Sequence, residues 1–255
     1  MKAVHTVTSL SAAGLFLLAG CGKREQPAAG QSAAPSAPTV APGNATVTGQ
    51  VKFVGKAPEN PAIDMSEEAK CKASYTTQPR QHVVMVNPNG TLADVFVYVK
   101  AGLPEGTYPV PATPVEIDQQ GCMYHPRVFG IMVGQTLAIK NSDPLLHNIK
   151  AMGKANRPFN ISQPTANMTT DRTFTAREVM LPFECNVHGW MHAYAGVLPY
   201  PYFATTGSDG KFTIANLPAG TYTIEAWQEN YGTLTDTVTV AANATKTVDF
   251  TYKAK

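Results

Sequence analysis

The sequence is poor in cysteine and in charge, and it has no long apolar run. Only 15% of its 255 residues are Asp, Glu, Lys or Arg, and the formal net charge is +2. A charge this close to neutral excludes the strongly basic surface of a nucleic-acid-binding protein. No apolar stretch reaches the ~20 residues that a transmembrane helix needs. Four cysteines are too few for a disulfide scaffold of this length, so each needs its own explanation.

The amino terminus has the pattern of a bacterial export signal. Lys2 precedes a short apolar segment, residues 10–18, that is too short to span a membrane. The sequence LAGC, which ends at Cys21, follows directly and resembles the lipobox of bacterial lipoproteins. This resemblance implies that residues 1–20 are a signal peptide and that Cys21 is acylated. An ordinary signal peptide that is cut nearby is the alternative.

Residues 21–44 predict a lipidated cysteine followed by a flexible linker. Most of this segment is Ala, Pro, Gly or Ser, so it cannot bury enough apolar surface to become ordered. Such a linker would hold a folded part away from a membrane. Gly22, in place of Asp, favours the outer membrane in Gram-negative lipoproteins. We therefore expect a protein of the bacterial cell envelope that is lipid-anchored and faces the periplasm.

The rest of the chain predicts an all-β fold. Short segments rich in β-branched and aromatic residues are separated by Gly and Pro, a pattern typical of sandwiches and barrels. Only residues 65–73 predict a helix, with Ser66 as its N-cap. The predicted strands are 47–54, 95–99, two around the turn within 130–140, 179–183, 211–214, 221–227, 233–240 and 245–252.

Two short motifs concentrate metal-binding side chains. His147 lies in NSDPLLHN, after the predicted strand 136–140, whereas Cys185, His188 and Met191 lie in CNVHGWM, after strand 179–183. One thiolate, two imidazoles and an axial thioether are the ligands of a blue-copper site. The motifs therefore predict one copper ion bound by these four side chains. Zinc is the alternative, because one Cys and two His also bind it tetrahedrally, although Met is a poor zinc ligand.

The C-x₂-H-x₂-M spacing and the His147-Asn148 pair resemble the copper loops of cupredoxins of the amicyanin type. The resemblance covers about residues 115–202 and implies a Greek-key β-sandwich. It implies that Asn148 ties the His loop to the Cys loop and donates toward the thiolate sulfur. It also implies that His188 reaches the surface inside an apolar patch, for which the candidates are Pro144, Leu145, Leu146 and Trp190.

Three other histidines need a separate account. His192 is an alternative axial ligand to Met191. Because adjacent residues on a strand point to opposite sides, we expect Met191 to face inward and His192 to be exposed. We expect His125 to lie at the surface, and we assign no role to His82.

The remaining cysteines, Cys71 and Cys122, predict a disulfide. An exported protein meets an oxidising compartment, and an exposed free thiol is a liability there. The alternative is two free thiols, or one of them as a further metal ligand.

Residues 208–227 resemble carboxypeptidase regulatory-like domains, which are small transthyretin-like β-sandwiches. The resemblance rests on the DGKF strand start, the LPAGTY turn and the alternating strand that follows, and residues 48–58 resemble the first strand of that family. We expect a regulatory-like sandwich formed by residues 45–112 with 204–255, and a cupredoxin domain at 113–203 inserted in it. Two consecutive domains are the rival arrangement. Some such sandwiches bind carbohydrate, so Trp227 and Tyr231 are candidates for sugar stacking, with packing as the alternative.

Together these features predict a lipid-anchored type 1 copper protein that transfers single electrons at the cell envelope. Its partner would be a redox protein that docks transiently on a small interface. The alternative is a copper-holding or carbohydrate-binding envelope module without a redox partner, and a third hypothesis is a cupredoxin fold that binds no metal. We expect no enzyme activity, because acidic dyads, Ser-His-Asp sets, phosphate loops and the extra His-rich motifs of multicopper oxidases are absent from the sequence.

Overall fold

Strands account for nearly all the regular structure between residues 37 and 255, the part of the chain that the computed structural model describes. The predicted signal peptide and Cys21 lie outside these residues. Within them, no helix is long and apolar enough to cross a membrane. The elements are β1 (Ala45–Val54), α1 (Ala69–Ala73), β2 (Met85–Val86), β3 (Leu92–Ala93), β4 (Phe96–Ala101), β5 (Val115–Gln120), β6 (Met123–His125), β7 (Val128–Met132), β8 (Thr136–Asn141), β9 (His147–Ala151), β10 (Phe159–Gln163), β11 (Met168–Thr173), β12 (Glu178–Glu184), β13 (His192–Leu198), β14 (Phe203–Thr205), β15 (Lys211–Leu217), β16 (Gly220–Gln228), β17 (Gly232–Val240), β18 (Thr245–Thr247) and β19 (Phe250–Lys253).

The first and last strands together build one β-sandwich, which we call the terminal sandwich. In one sheet β1 pairs with β15 on one side and with β18 and β19 on the other, and the second sheet has the order β14-β4-β16-β17. Apolar side chains from both sheets, such as Val47 and Ile224, meet in one hydrophobic core. The chain leaves this sandwich after β4 and returns to it at β14.

The strands between β4 and β14 build a second β-sandwich, the central sandwich. Its sheets have the orders β10-β9-β12-β13-β7 and β11-β8-β5-β6. Its hydrophobic core is separate and contains Ile117, Ile139 and Phe183, together with two of the predicted ligands, Cys185 and Met191. The predicted fold class, an all-β chain with two sandwiches, is confirmed.

The two sandwiches meet at a nearly buried ion pair. Arg127, between β6 and β7, donates two hydrogen bonds to Glu229 Oε2, from Nε at 3.0 Å and from Nη2 at 2.7 Å. The Tyr194 hydroxyl donates to Oε1 of the same carboxylate at 3.1 Å. The exposed fractions of the two charged side chains are 10% and 18%, so solvent screens this pair weakly.

Most predicted strands differ from the structure by one to three residues at an end, and two further differences have a local cause. The helix begins at Ala69 and not near Ser66, because Asp64 Oδ1 accepts the Ser66 N–H at 2.9 Å and holds that residue in a turn. The predicted strand 245–252 is interrupted between β18 and β19. There Asp249 Oδ1 accepts the Gln50 N–H at 2.9 Å, so a side chain replaces the backbone partner of β1.

Residues 63–75, which we call the cover, include α1 and lie between β1 and β2 in the chain. The cover packs on the central sandwich, because Ile63, Met65 and Cys71 are buried in its core. These residues fall within the range 45–112 that the sequence assigns to the other sandwich. The cover therefore belongs, by its packing, to the sandwich that carries the candidate ligands.

Candidate metal centre

Three of the predicted ligands come together in the central sandwich. His147 begins β9, and Cys185 and His188 lie on the loop between β12 and β13. One ligand atom from each of these residues lies within 4.8 Å of the other two. The Nδ1 atoms of the two histidines are 3.0 Å apart, and Cys185 Sγ is 3.8 Å from His188 Nδ1.

Hydrogen bonds within the loop shape the run from Cys185 to Met191. The Cys185 N–H donates to the Met191 carbonyl at 3.3 Å, and the Met191 N–H donates to the His188 carbonyl at 2.9 Å. The His188 N–H donates to Cys185 Sγ at 3.3 Å. These bonds hold the first and last ligands of the motif next to each other.

Burial separates Met191 from its neighbour His192. Met191 is fully buried in the core that contains Cys185. His192 is half-buried and lines a small cavity of about 20 Å³, together with His82 and His125. Met191 thus faces the core of the central sandwich as expected, whereas the expected exposure of His192 is wrong, because it is half-buried near His82 and His125.

Asp143 orients the His147 ring. Its Oδ2 accepts a hydrogen bond from His147 Nε2 at 2.8 Å, and its two oxygens also accept the backbone N–H groups of Gly121 and Cys122 at 2.8 Å each. With the proton on Nε2, Nδ1 of a neutral His147 carries a free lone pair. Asn141 shapes this loop, because its Oδ1 accepts the Asp143 N–H at 3.0 Å.

The His188 ring aims Nδ1 at the same point. Burial, followed by the neighbouring His147, lowers the pKa of His188. Two imidazole nitrogens 3.0 Å apart and a thiol sulfur therefore converge in a buried pocket. A shared proton or a cation accounts for this approach. Thiolate and imidazole donors fit copper or zinc and do not fit magnesium or calcium, which prefer oxygen.

Asn148 links the two ligand loops, as the resemblance implied. Its Oδ1 accepts the backbone N–H of Asn186 at 3.0 Å. Its amide nitrogen, however, donates to Asn160 Oδ1 and to the Ile161 carbonyl, and no hydrogen bond to Cys185 Sγ is formed. The implied donation toward sulfur is therefore wrong for this conformation, because β10 captures the amide.

The expected surface position of His188 is also wrong. His188 is fully buried, although Leu146 of the predicted patch is 43% exposed. Cys71 Sγ, on the cover, lies 3.6 Å from His188 Nε2. Trp190 packs beside the ring, with centroids 5.3 Å apart, and its Nε1 donates to the Cys122 carbonyl at 2.9 Å. The cover occupies the place where an exposed imidazole edge would be.

The predicted disulfide between Cys71 and Cys122 is present, with Cα atoms 5.6 Å apart. Cys185 is the free cysteine among the described residues, and it is buried. The sequence did not indicate the position of this disulfide, which lies directly against the predicted ligand His188. Its sulfur atoms and the His188 ring also lie within 4.8 Å of one another.

Sequence reasoning missed two residues around the site. Asp143 lies in the NSDPLLHN motif, four residues before His147, and that spacing could have indicated a carboxylate beside the histidine. Tyr124 donates from its hydroxyl to the Asn148 carbonyl at 2.5 Å. Burial and the neighbouring Cys185 raise the pKa of Tyr124, so its hydroxyl stays protonated. No pattern in the sequence pointed to this tyrosine.

The two aromatic candidates for sugar binding take part in packing. Trp227 is half-buried with its ring 5.1 Å from that of Tyr194. Tyr231 is half-buried between the rings of Phe53 and Tyr252, at 5.4 and 6.1 Å. These contacts agree with the packing alternative.

One family model matches part of the chain. Residues 199–253 match the carboxypeptidase regulatory-like domain. This confirms the resemblance seen in the LPAGTY segment and places it in β14 to β19 of the terminal sandwich. No curated protein matches the chain by sequence.

Solved structures similar to this chain include cupredoxins. A copper-containing nitrite reductase from Thermus scotoductus SA-01 is 20% identical with a TM-score of 0.32, and the match covers 38% of this chain and 25% of the reductase. An oxidized amicyanin variant is 17% identical with a TM-score of 0.30, covering 40% of this chain and 97% of amicyanin. A purple cupredoxin from Nitrosopumilus maritimus is 22% identical with a TM-score of 0.28, covering 32% and 97%. The chain thus spans about a quarter of the reductase.

Proposed function

We propose that the protein is a one-electron carrier with a single copper ion bound by His147, Cys185, His188 and Met191. The observation that carries the proposal is the convergence of two imidazole nitrogens, 3.0 Å apart, on a buried thiol. Copper bound there would supply one-electron exchange between Cu(II) and Cu(I). The mixed donor set accommodates both oxidation states, since thiolate and thioether suit Cu(I) and imidazole also binds Cu(II).

The residues around the ligands support this function by holding them rigid. Asp143 fixes the His147 ring, and Asn148 ties the loop of His147 to the loop of Cys185. A site that keeps its geometry when its charge changes loses little energy to reorganisation, which favours fast electron exchange. We further propose that the protein acts without substrate turnover, and that it is attached to the envelope through acylated Cys21 and delivers electrons to a transiently docked redox protein.

The complete burial of His188 favours a second candidate function. If this imidazole edge stays covered, a partner cannot approach the ligands directly, and the protein would hold copper without exchanging electrons rapidly. The two candidates share the same ligands and differ in the rate of electron exchange.

The test uses the full-length protein, metal-free and then mixed with Cu(II). An intense thiolate-to-copper absorption band that is lost in Cys185→Ala is expected, with no loss in His125→Gln, a control histidine on the edge of another cavity. Repeated cycles with ascorbate and ferricyanide should bleach and restore the band without release of copper. A bound copper that does not cycle would select the copper-holding function, and a protein that retains no copper would refute both.

A further inference from the structure

The candidate copper ligands have no direct opening to solvent. His147, His188 and Met191 are fully buried, and Cys185 is 4% exposed. A metal ion needs an access path to such a site, so part of the protein must move when copper enters. The cover lies over the outer side of His188, since Cys71 Sγ is 3.6 Å from Nε2 of that ring.

The disulfide is the strongest restraint on the cover. Lys70 and Tyr75 each donate one hydrogen bond to a backbone carbonyl of the central sandwich, at 3.2 and 2.7 Å, and the side chains of Ile63 and Met65 are buried beneath it. The helix α1 has five residues and no side-chain N-cap, and a helix this short is not stable alone. The crosslink joins positions 51 residues apart, so it strongly disfavours open conformations.

The sulfur atoms of the disulfide also form a second set of ligands with His188. Ligand atoms of Cys71, Cys122 and His188 lie within 4.8 Å of one another. Nδ1 of His188 faces His147 and Cys185, whereas Nε2 faces Cys71. One imidazole ring therefore borders both sets. Two thiolates and an imidazole suit Cu(I), the soft oxidation state.

We propose that Cys71 and Cys122, when reduced to thiols, bind Cu(I) together with His188 as a loading site, and that their disulfide closes the route to the buried ligands. This proposal rests on the proposed function, because it requires the inner ligands to bind copper. Opening is thiol–disulfide exchange with a dithiol partner, which supplies two electrons and two protons, leaves as its disulfide and yields the two thiols of Cys71 and Cys122. Closure is thiol–disulfide exchange with a disulfide-bearing partner, which leaves as a dithiol.

The first test compares copper uptake by two forms of the full-length, metal-free protein. One form keeps the disulfide, and the other is reduced with a phosphine, which becomes the phosphine oxide and is then removed. Alkylation and mass spectrometry should count two more thiols in the reduced form. Transfer of Cu(I) from a coloured chelator should be faster in the reduced form, on the order of tenfold or more, because the crosslink no longer suppresses opening.

The outcomes separate the two proposals. Equal uptake rates in both forms would overturn the loading site and leave the electron carrier intact. Failure of both forms to take up copper would overturn the proposed function. Release of copper to the chelator, measured on the loaded protein before and after reduction, gives a second rate that should change in the same direction.

The second test isolates the loading site by removing the inner thiolate. Reduced Cys185→Ser should bind one Cu(I) per chain with the loss of thiol protons, and its oxidised form should bind none. The matched control adds Cys71→Ser and Cys122→Ser to this variant, and it should bind none under either condition. Near-ultraviolet circular dichroism checks that each variant is folded. Equal Cu(I) binding by the oxidised and reduced forms of Cys185→Ser, or binding by neither, would refute the loading site.

Discussion

Substitution of Asp143 by Asn tests whether this carboxylate positions His147 for metal binding. The carboxylate accepts three hydrogen bonds of 2.8 Å, from His147 Nε2 and from the N–H groups of Gly121 and Cys122. An Asn side chain has one acceptor oxygen and an NH₂ group, so at least one of these buried donors loses its partner. We expect the metal-free protein to lose about 1–3 kcal/mol of unfolding free energy.

Copper affinity should fall as well, by about 10–100-fold, the usual effect of removing a residue that orients a metal-bound histidine. Competition with a chelator measures the affinity, and urea denaturation of the metal-free protein measures the stability. Nitrogen NMR of the His147 ring should show that the Nε2 proton is less strongly held. Asp171→Asn is the control, because Asp171 is exposed on β11 and its side chain makes no hydrogen bond within the described residues. Lower stability with unchanged copper affinity and an unchanged ring spectrum would refute the positioning role.

Three further predictions concern residues around the two sandwiches. Burial raises the pKa of Asp94 above its ordinary value of 3.8, so its ionised form destabilises the fold at neutral pH. Asp94→Asn should therefore increase the unfolding free energy at pH 7, and this gain should disappear as the pH falls below 3.8. A gain that does not depend on pH would contradict the raised pKa of Asp94. Arg127→Met should lower the unfolding free energy, measured by urea denaturation, by about 3 kcal/mol, because it removes the ion-pair partner of Glu229. Adding Glu229→Gln to this variant should restore part of the lost free energy. Tyr124→Phe removes the donor to the Asn148 carbonyl and should cost about 1 kcal/mol while shifting the thiolate-to-copper band, and an unmoved band would exclude an effect on Cys185.

Local patterns were sufficient to predict the ligand loops and part of the strands, whereas β5, β6, β9, β10, β11, β13 and β14 were not predicted. The strand before each motif ends within one residue of its predicted end, since β8 ends at Asn141 and β12 at Glu184. The C-x₂-H-x₂-M loop is held by hydrogen bonds between residues close together in the chain, such as the bond from the Met191 N–H to the His188 carbonyl. Features of this kind depend on few residues close together in the chain, so they can be read from the sequence.

Features that depend on distant segments could not be predicted. The cover reaches His188 across a sequence separation of 117 between Cys71 and that histidine, and neither motif contains a signal for this contact. The hydrogen bond of the Asn148 amide could not be predicted either, because this amide donates to the Ile161 carbonyl of β10 and not to the Cys185 thiol. The helix bounds failed for a local reason, because an Asp64 side chain competed with the first helical turn.

The chain order of the two sandwiches has a consequence for synthesis on the ribosome. β1 and β4 emerge first, but β4 ends at residue 101 and its neighbour β14 begins at residue 203. Domains generally fold as units in the order in which they emerge, so the central sandwich can close while the terminal one is half made. During that interval the four consecutive buried residues at the start of β4 lack their neighbouring strands, β14 and β16. An unpaired apolar strand of this kind is prone to aggregate, which makes β4 the segment that a holding chaperone would have to protect.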